Sequence, residues 1–348
     1  MSSAGLDRLL AALIVGLAAT GAVSLISGEP GDAWLFLTHD LLAGALAAAV
    51  AVKLARSVPK AVRGRRWARL AVATVVTVVA AGSLVAAFVW VAGGSLVWVD
   101  LGFIRWTLLT VHVAAGLALI PLVLVHLAPR RWRVLRVRPR PATATTAPRR
   151  TATSGRSLSR RAVLVSGAYG AAAVVLVGTA ATLDTLRGGV RRFTGSRWLP
   201  EGPPGVPTTF LGEPTPAVDL GAWRLRVTGR VEREIVLDLA ALTALARRDV
   251  TAVLDCTAGW AIEATWTGVR LTDVLSLAGA AGDAGRIDIV AVTGWRASLD
   301  ATDARRCLLA WAEGGRPIST EHGAPLRLVA PDHRGLEWVK WVERIEVA

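Results

Sequence analysis

The chain has 348 residues, of which 53% are hydrophobic and 19% are charged. This combination indicates a membrane part joined to a soluble part and allows two or three domains. The formal net charge of +14 is uneven, because residues 1–189 hold 21 Lys and Arg against 6 Asp and Glu, whereas residues 190–348 hold 19 against 20. An excess of basic residues confined to the apolar half of the chain indicates loops that face the cytoplasm. It gives no reason to expect a nucleic acid partner.

Five apolar stretches are each long enough to cross a hydrocarbon core, which takes about 20 helical residues. They cover residues 6–27, 34–55, 70–92, 105–127 and 162–183. The connections after the second and fourth stretches are strongly basic, with eleven arginines between residues 130 and 161, whereas the other two connections carry only acidic charges. The positive-inside rule then predicts a multi-pass protein of the cytoplasmic membrane, with its N-terminus inside and its C-terminal part on the extracytoplasmic side.

A polar segment separates the fourth apolar stretch from the fifth. Residues 137–160 are rich in Pro, Thr, Ala, Ser and Arg, and such a composition cannot bury enough surface to fold. We therefore predict a flexible cytoplasmic linker between a four-helix transmembrane domain at 1–136 and a fifth transmembrane helix at 161–185. The linker ends in Ser-Arg-Arg-Ala-Val-Leu, which resembles a twin-arginine export signal. Alternatively, Arg160 and Arg161 are only positive-inside charges.

The five spans are predicted to form an all-α transmembrane bundle. Residues 186–348, which follow it, have the mixed periodicity of a soluble domain. Strands are predicted at residues 223–229, 250–254, 287–292, 326–329 and 339–347, and helices at 238–248, 271–277 and 302–311. Because strands and helices alternate irregularly, the predicted class is α+β. Asp300 and Asp303 are predicted to begin the third helix rather than to form an acid–base pair, and Cys307 is predicted to lie in the core on that helix.

Three of the five histidines, His39, His112 and His126, lie in the predicted spans, where ionisable residues are functional candidates by default. His39 and His112 lie roughly 8–10 Å below the outer ends of their spans. Two opposed imidazoles at one depth predict bis-histidine ligation of a haem b. His126 is about 21 Å deeper than His112 and about 40° from the same face, a spacing similar to that of the paired histidines of diheme cytochromes b.

A second bis-histidine haem is not supported, because no fourth histidine lies in the spans and Met1 is the only methionine. The alternative role for the membrane histidines is hydrogen bonding between helices, or, for His126, a place at the inner membrane interface.

Cys256 lies at the end of an apolar run and before a Thr-Ala-Gly turn. A thiolate binds soft or high-valent metals where carboxylates do not, so Cys256 is a candidate metal ligand. The alternative is a small buried hydrophobe, which is the commoner role of an isolated cysteine. A disulfide with Cys307 is a third alternative and would remove the thiolate.

Three segments, in order along the chain, resemble the sulfite oxidase-like molybdopterin domain: RRFTGSRW, the cysteine segment LDCTAGWAIEATWTGVRLTDVLSLAG, and HGAPLR with VKW near the end. The resemblance covers about residues 190–348. It implies an α+β domain around one molybdenum, bound by a pterin dithiolene and by Cys256 as the catalytic ligand. It also implies a set of residues that contact the pterin or its phosphate, which are Thr194, Ser196, His322, Arg327 and Lys340.

Several positions depart from the pattern of sulfite oxidases. Tyr169, the only tyrosine, lies in the fifth span, so their active-site tyrosine is missing. Trp295 stands where many relatives have an aromatic hydroxyl group. Arg296, beside it, is either an anion-binding residue or a surface residue. Glu337 stands where many relatives have a basic residue. His333, in a Pro-Asp-His-Arg-Gly turn, faces either the cofactor or solvent. No immunoglobulin-like dimerisation domain follows, so the outline is nearer to compact bacterial relatives that include the periplasmic reductase of protein methionine sulfoxide.

These features predict a membrane-bound molybdopterin oxidoreductase that couples two-electron oxygen-atom transfer to a transmembrane haem b and the quinone pool. Reduction of an S- or N-oxide is the preferred direction, and oxidation of a small substrate uses the same parts in reverse. The expected partners are membrane lipid, a quinone or another membrane electron donor, and a small oxide or oxyanion. The alternative is a non-catalytic, membrane-anchored module that binds a pterin or a partner without turnover. The oligomeric state has no signature in the sequence.

Overall fold

The computed structural model describes residues 3–64, 67–102, 105–127, 160–199, 214–281 and 285–348. Nearly all of the predicted cytoplasmic linker, including the serine of the export-like motif, lies outside the described residues. The chain divides into two compact units. The helical unit comprises Met1–Gly21, Leu37–Ala92 and His112–Leu183, and the mixed unit comprises Ala22–Phe36, Gly93–Val111 and Asp184–Ala348.

Five long helices cover most of each predicted apolar stretch, although the first ends three residues early and the fourth begins three residues late. They are α1 (Ser3–Ser24), α2 (Ala33–Arg63), α3 (Trp67–Ala92), α4 (Leu108–Leu127) and α5 (Arg160–Leu186). Each is long and apolar enough to cross a membrane. The prediction of five helices of spanning length is therefore confirmed, whereas their insertion and orientation stay predictions.

Helix contacts within the helical unit combine apolar packing with close backbone approach. Where α1 meets α2, the buried residues are Leu6, Leu13, Leu46 and Ala49. Lys53 of α2 forms an ion pair with Asp7 of α1. A Cβ on Gly44 of α2 would lie 2.7 Å from the Cα of Ala173 in α5, so glycine is what allows these two helix backbones to meet.

The mixed unit contains a hairpin and two β-sheets. The hairpin pairs β1 (Trp98–Asp100) with β2 (Arg105–Thr107). Neither strand is predicted: β1 lies in a predicted connection, whereas β2 takes the first three residues of the predicted fourth span, so α4 begins only at Leu108. The strands of the six-stranded sheet are β3 (Arg197–Trp198), β6 (Arg248–Cys256), β7 (Trp260–Arg270), β10 (Leu308–Glu313), β11 (Arg316–Pro317) and β12 (Arg327–Val329). Those of the five-stranded sheet are β4 (Leu225–Gly229), β5 (Ile235–Leu237), β8 (Ile287–Ala291), β9 (Arg296–Leu299) and β13 (Val342–Val347).

The central strand of the first sheet is β7, which pairs with three other strands and forms with β6 the hairpin that has Cys256 at its tip. The path runs β11–β10–β7–β3, with β12 also paired to β10 and β6 paired to β7. The second sheet has the order β5–β4–β13–β8–β9. Three short helices connect these strands: α6 (Leu239–Thr243), α7 (Leu271–Leu277) and α8 (Ala301–Arg306). Because strands and helices are mixed without regular alternation, the predicted α+β class of this part is confirmed.

Most predicted elements of the mixed unit are present within a few residues, including α7 at its predicted bounds. Two predicted helices are too long. The helix predicted at 238–248 is limited to Leu239–Thr243, because the chain from residue 248 pairs with β7. The helix predicted at 302–311 ends at Arg306 and is followed by β10.

The second error has a physical reason. A short apolar run suits a buried strand as well as a buried helix, and β10 pairs with three other strands. Cys307 is buried as predicted, but it lies between α8 and β10 rather than on the helix. Asp300 caps α8, since its carboxylate accepts hydrogen bonds from the backbone N–H groups of Thr302 and Asp303. The prediction that the two aspartates mark a helix start is confirmed.

Candidate functional site

Cys256 lies at the tip of a β-hairpin. It is the last residue of β6, it pairs with Trp260 of β7, and it keeps a free thiol that is 8% exposed. The turn between the strands ends at Gly259, whose φ of +98° favours glycine, and the Gly259 N–H donates to the Cys256 carbonyl (2.8 Å). A Cβ on Gly335 would lie 3.0 Å from the Cys256 Cα, so a second glycine lets a loop pass directly behind the thiol.

Three basic side chains act electrostatically on this thiol. Burial raises the pKa of Cys256, and the positive charges of Lys340, Arg334 and Arg327 oppose that rise. The buried group therefore stays a thiol in isolation, while its surroundings lower the cost of the thiolate that a soft metal requires. Such a site binds a metal that brings its own further ligands, since no cluster of three or more His, Cys, Asp or Glu side chains suited to a metal exists among the described residues.

Of the three basic side chains, Arg327 gives the clearest indication that the cluster binds a ligand. Its guanidinium lies 5.5 Å from the ring centre of Trp266 and 5.7 Å from that of Trp338, and one terminal nitrogen donates to the His322 carbonyl (2.8 Å). Burial lowers the pKa of Arg327 to about 10. Its Nε is buried and has no hydrogen-bond partner among the described residues. A buried donor without an acceptor is costly, so this nitrogen is available to a ligand oxygen such as a phosphate.

His322 and Lys340 belong to the same cluster. The His322 Nδ1 lies 3.1 Å from a carboxylate oxygen of Glu313, which leaves Nε2 for another partner. The Lys340 ammonium donates to the Glu321 carbonyl (3.2 Å). Gly323, at a φ of +113°, brings these segments together, because a Cβ there would lie 2.9 Å from the Lys340 Cβ. Cys256, His322, Arg327 and Lys340 thus all lie in the mixed unit, and their contacts with a pterin stay a prediction.

Thr194 and Ser196 are buried, and their hydroxyl groups bind the residue before Cys256. Thr194 Oγ1 donates to one oxygen of the Asp255 carboxylate (2.7 Å), and Ser196 Oγ donates to the other (2.6 Å). Asp255 is 1% exposed and directly precedes Cys256. Asp255 thus accepts a hydrogen bond from each of two residues predicted to contact a pterin, a contact that the sequence alone does not reveal.

The residues singled out for a substrate oxyanion lie on the surface. Arg296 is 44% exposed and pairs with Asp288 (2.8 Å) and Glu346 (2.9 Å), so its charge is already compensated within the protein. Trp295 is 51% exposed, and its indole N–H donates to the Leu336 carbonyl (2.9 Å). Of the two alternatives for Arg296, the structure supports a surface ion pair.

His333 contacts two carboxylates. Its Nδ1 lies 3.0 Å from Glu337 and its Nε2 lies 3.4 Å from Asp303. The hydrogen bond to Glu337 raises the pKa of His333 against the opposing effect of burial, and Asp303 adds to the rise. Arg306 pairs with Asp303 (2.9 Å) on its other side. Glu337, which departs from the family pattern, thus stabilises a protonated histidine.

Replacing His333 by glutamine is expected to destabilise the protein more in acid than in alkali. Because the folded-state pKa lies above the ordinary value of 6.5, the stabilisation is complete below that value and disappears as the pH rises through the folded-state pKa. We expect a loss of about 1 kcal/mol near pH 6 after solvent screening, and almost none near pH 9. Thermal unfolding midpoints at both pH values measure it, with Glu337→Gln as the matched variant. A loss that is equal at both pH values would contradict a charged His333.

The helical unit brings His39 of α2 close to His112 of α4. The ring centres are 6.2 Å apart, and the ring planes are at 89°. The Nδ1 of His39 lies 2.8 Å from the Thr20 hydroxyl in α1, and the Nδ1 of His112 lies 2.9 Å from the Ser83 carbonyl in α3. Both Nδ1 atoms are therefore occupied, and each ring has Nε2 left for a ligand. His126 is half-buried in the last turn of α4.

Comparison with known proteins identifies the mixed unit as a molybdopterin-binding oxidoreductase domain. The family model described as the oxidoreductase molybdopterin binding domain matches residues 212–348. The uncharacterized oxidoreductase YuiH of Bacillus subtilis is 32% identical over 143 residues, which cover 40% of this chain and 72% of that protein. The chain belongs to the molybdopterin-binding oxidoreductase family. The match assigns no role to any single residue, so the roles of Cys256, His322, Arg327, Lys340, Thr194 and Ser196 stay predictions.

Other relatives match over smaller shares of their length. Sulfite oxidase of Arabidopsis thaliana is 28% identical over 173 residues, covering 38% of this chain and 44% of that protein. The putative protein-methionine-sulfoxide reductase subunit YedZ1 of Azospira oryzae is 28% identical over 132 residues, covering 37% and 50%. Among solved structures, the sulfane dehydrogenase SoxCD of Paracoccus pantotrophus is similar, with 23% identity, coverage of 38% and 40%, and a TM-score of 0.37.

Proposed function

We propose that the protein is a membrane-bound molybdopterin oxidoreductase that reduces a small S- or N-oxide on the extracytoplasmic side. The observation that carries this proposal is the Cys256 cluster, in which a buried thiol lies among basic side chains. One of these, Arg327, has a buried Nε without an acceptor among the described residues. This donor set fits a group that brings both a phosphate and a thiolate-binding metal. Membership of the family supports the same assignment.

Each side chain of the cluster has a separate task in this proposal. Cys256 ligates molybdenum, and Arg327 and Lys340 bind the cofactor's phosphate, since guanidinium and ammonium groups suit phosphate oxygens. His322, oriented by Glu313, offers its Nε2 to the pterin. When bound, molybdenum supplies two-electron oxygen-atom transfer. In the reductive direction, the oxide accepts two electrons and two protons and is released as the reduced compound and water.

The choice of an oxide rests on two observations. The chain is similar to a protein named as a putative protein-methionine-sulfoxide reductase subunit. The only tyrosine, Tyr169, lies in α5, so the chain offers no counterpart to the active-site tyrosine of the sulfite oxidases that it resembles. An S-oxide is therefore preferred to sulfite as the substrate.

We further propose that electrons reach this domain by way of a haem b ligated by His39 and His112. His39 and His112 would hold the haem iron between their rings, and the haem would supply one-electron transfer. The distance between the two ring centres is 6.2 Å. Hydrogen bonds to the second ring nitrogen are the usual support of a histidine ligand, and both Nδ1 atoms have one. The sequence has three histidines in its predicted spans, which supply one pair and leave a second pair incomplete, so one haem is proposed.

The membrane assignment follows from the five apolar helices and the basic connections between them. With the arginine-rich connections in the cytoplasm, His39 and His112 lie in the outer half of the bundle and the mixed unit lies outside. A membrane quinol is the proposed electron donor. The twin-arginine-like segment is proposed to carry the folded, cofactor-loaded domain across the membrane.

The test is the cofactor content of the full-length protein, purified in detergent from a host that makes both haem and molybdopterin. We expect molybdenum and haem b in equal amounts, and a quinol-reduced haem that is reoxidised on addition of methionine sulfoxide, dimethyl sulfoxide or trimethylamine N-oxide. Protein without molybdenum would overturn the enzyme proposal. Molybdenum without any reoxidation by the oxides would favour the non-catalytic pterin-binding module, and molybdenum without haem would assign the electron supply to another protein.

A further inference from the structure

The carboxylate of Asp255 is enclosed by four partners. Each of its oxygens accepts one hydroxyl hydrogen bond, from Thr194 or from Ser196. Each also faces one guanidinium, with Arg192 Nε 3.6 Å from one oxygen and Arg334 Nε 3.5 Å from the other. A carboxylate this deeply buried is stable only with such compensation. Asp255 therefore ties three segments of the mixed unit together at one point.

The backbone of Asp255 is held as firmly as its side chain. Its carbonyl accepts a hydrogen bond from the Gly335 N–H (2.7 Å), and it forms an isolated parallel bridge with Arg334. On the other edge it pairs with Ala261 of β7. The end of β6 is thus fixed by both neighbours, one residue before the thiol.

Strand geometry separates the tasks of the two adjacent residues. Successive side chains of a strand point to opposite faces, so the Asp255 carboxylate holds the strand from the face opposite the Cys256 thiol. Thr194 and Ser196 each have a single O–H donor, and both donate it to Asp255. Neither hydroxyl has a hydrogen left for a pterin.

We propose that Asp255 is a positioning residue for the Cys256 sulfur, and that Thr194 and Ser196 act through Asp255 rather than on the pterin. The network formed by Arg192, Thr194, Ser196, Asp255 and Arg334 fixes the tip of the hairpin so that the sulfur occupies one place before the cofactor arrives. This inference rests on the proposed function only in taking Cys256 as the molybdenum ligand.

Alkylation of Cys256 tests the positioning without any cofactor. Because the chain has two cysteines, a Cys307→Ala background leaves Cys256 as the single thiol of the full-length protein. This protein is purified from a host that lacks pterin synthesis, and its reaction with iodoacetamide is timed. Asp255→Asn keeps the shape but removes the charge, and we expect alkylation to become about tenfold faster as the hairpin tip opens more often.

Asp249→Asn is the matched control. Asp249 lies on the same strand, accepts a hydroxyl hydrogen bond from Thr267 (2.5 Å) and faces Arg247 (3.5 Å), but it is exposed and remote from the hairpin tip. We expect its alkylation rate to equal that of the background protein. An Asp255→Asn protein that is folded and reacts at the background rate overturns the inference.

Thr194→Val and Ser196→Ala decide the question if Asp255→Asn does not fold. Under the inference, each raises the alkylation rate severalfold in cofactor-free protein, and in molybdenum-loaded protein each alters the electron paramagnetic resonance signal of the metal. If both variants lose pterin while alkylation stays at the background rate, the hydroxyls bind the pterin and the inference is wrong. If the wild type binds no molybdenum, the proposed function fails, but the alkylation rates still decide whether Asp255 positions the thiol.

Discussion

Replacing Cys256 by serine is expected to abolish oxide reduction and most molybdenum binding. Serine keeps the size of the side chain, but its alcohol does not ionise near neutral pH, so the soft, anionic ligand is lost. Even residues that only support metal ligands alter affinity or activity by about 10- to 100-fold, so we expect a loss above about a hundredfold here. Molybdenum per chain and oxide-dependent oxidation of a reduced viologen dye measure the two effects.

Cys307→Ala is the control for this variant. Cys307 is 1% exposed, and burial, together with the charge of Asp303, raises the pKa of its thiol to about 12. Such a thiol is inert, so its removal is expected to lower the thermal unfolding midpoint but to leave the molybdenum content unchanged. Full retention of molybdenum in Cys256→Ser would show that the sulfur is no ligand, and equal losses in both variants would point to misfolding.

The surroundings of Cys256 show which part of the fold could be predicted. An apolar run followed by Thr-Ala-Gly contains its own strand and turn signals, so the strand end at Cys256 was predictable from local sequence. The apolar run after Cys307 contains no such punctuation, and pairing with distant strands makes it β10 rather than a helix. The β1–β2 hairpin was missed because each of its strands has only three residues.

The contacts that build the site were less predictable than its residues. The resemblance picks out Cys256 and Arg327 by residue type and order, but it does not say what they touch. Thr194 meets Asp255 across 61 residues of sequence, and Arg327 lies between two tryptophans from different segments. No local pattern encodes such long-range pairs, so no signal in the sequence identifies Asp255, although it directly precedes Cys256.

Replacing His112 or His39 by alanine is expected to remove the haem and, with it, electron transfer from quinol. Each substitution removes one proposed haem ligand. It also removes the imidazole that contacts Ser83, in the case of His112, or Thr20, in the case of His39. Haem absorbance should fall to background, and quinol-dependent oxide reduction should fall by more than about a hundredfold. Reduction driven by a soluble viologen dye should continue, because it bypasses the haem.

His126→Ala is the matched control, since it removes an imidazole from the last turn of the same helix, α4. Its haem content and quinol-dependent rate are expected to equal those of the wild type, because a single haem between His39 and His112 does not use it. If His126→Ala also loses haem, the chain binds haem with a different pair of ligands. If His39→Ala and His112→Ala both keep the wild-type absorbance, the two rings, 6.2 Å apart, have a structural role and electrons enter the Cys256 domain from another protein.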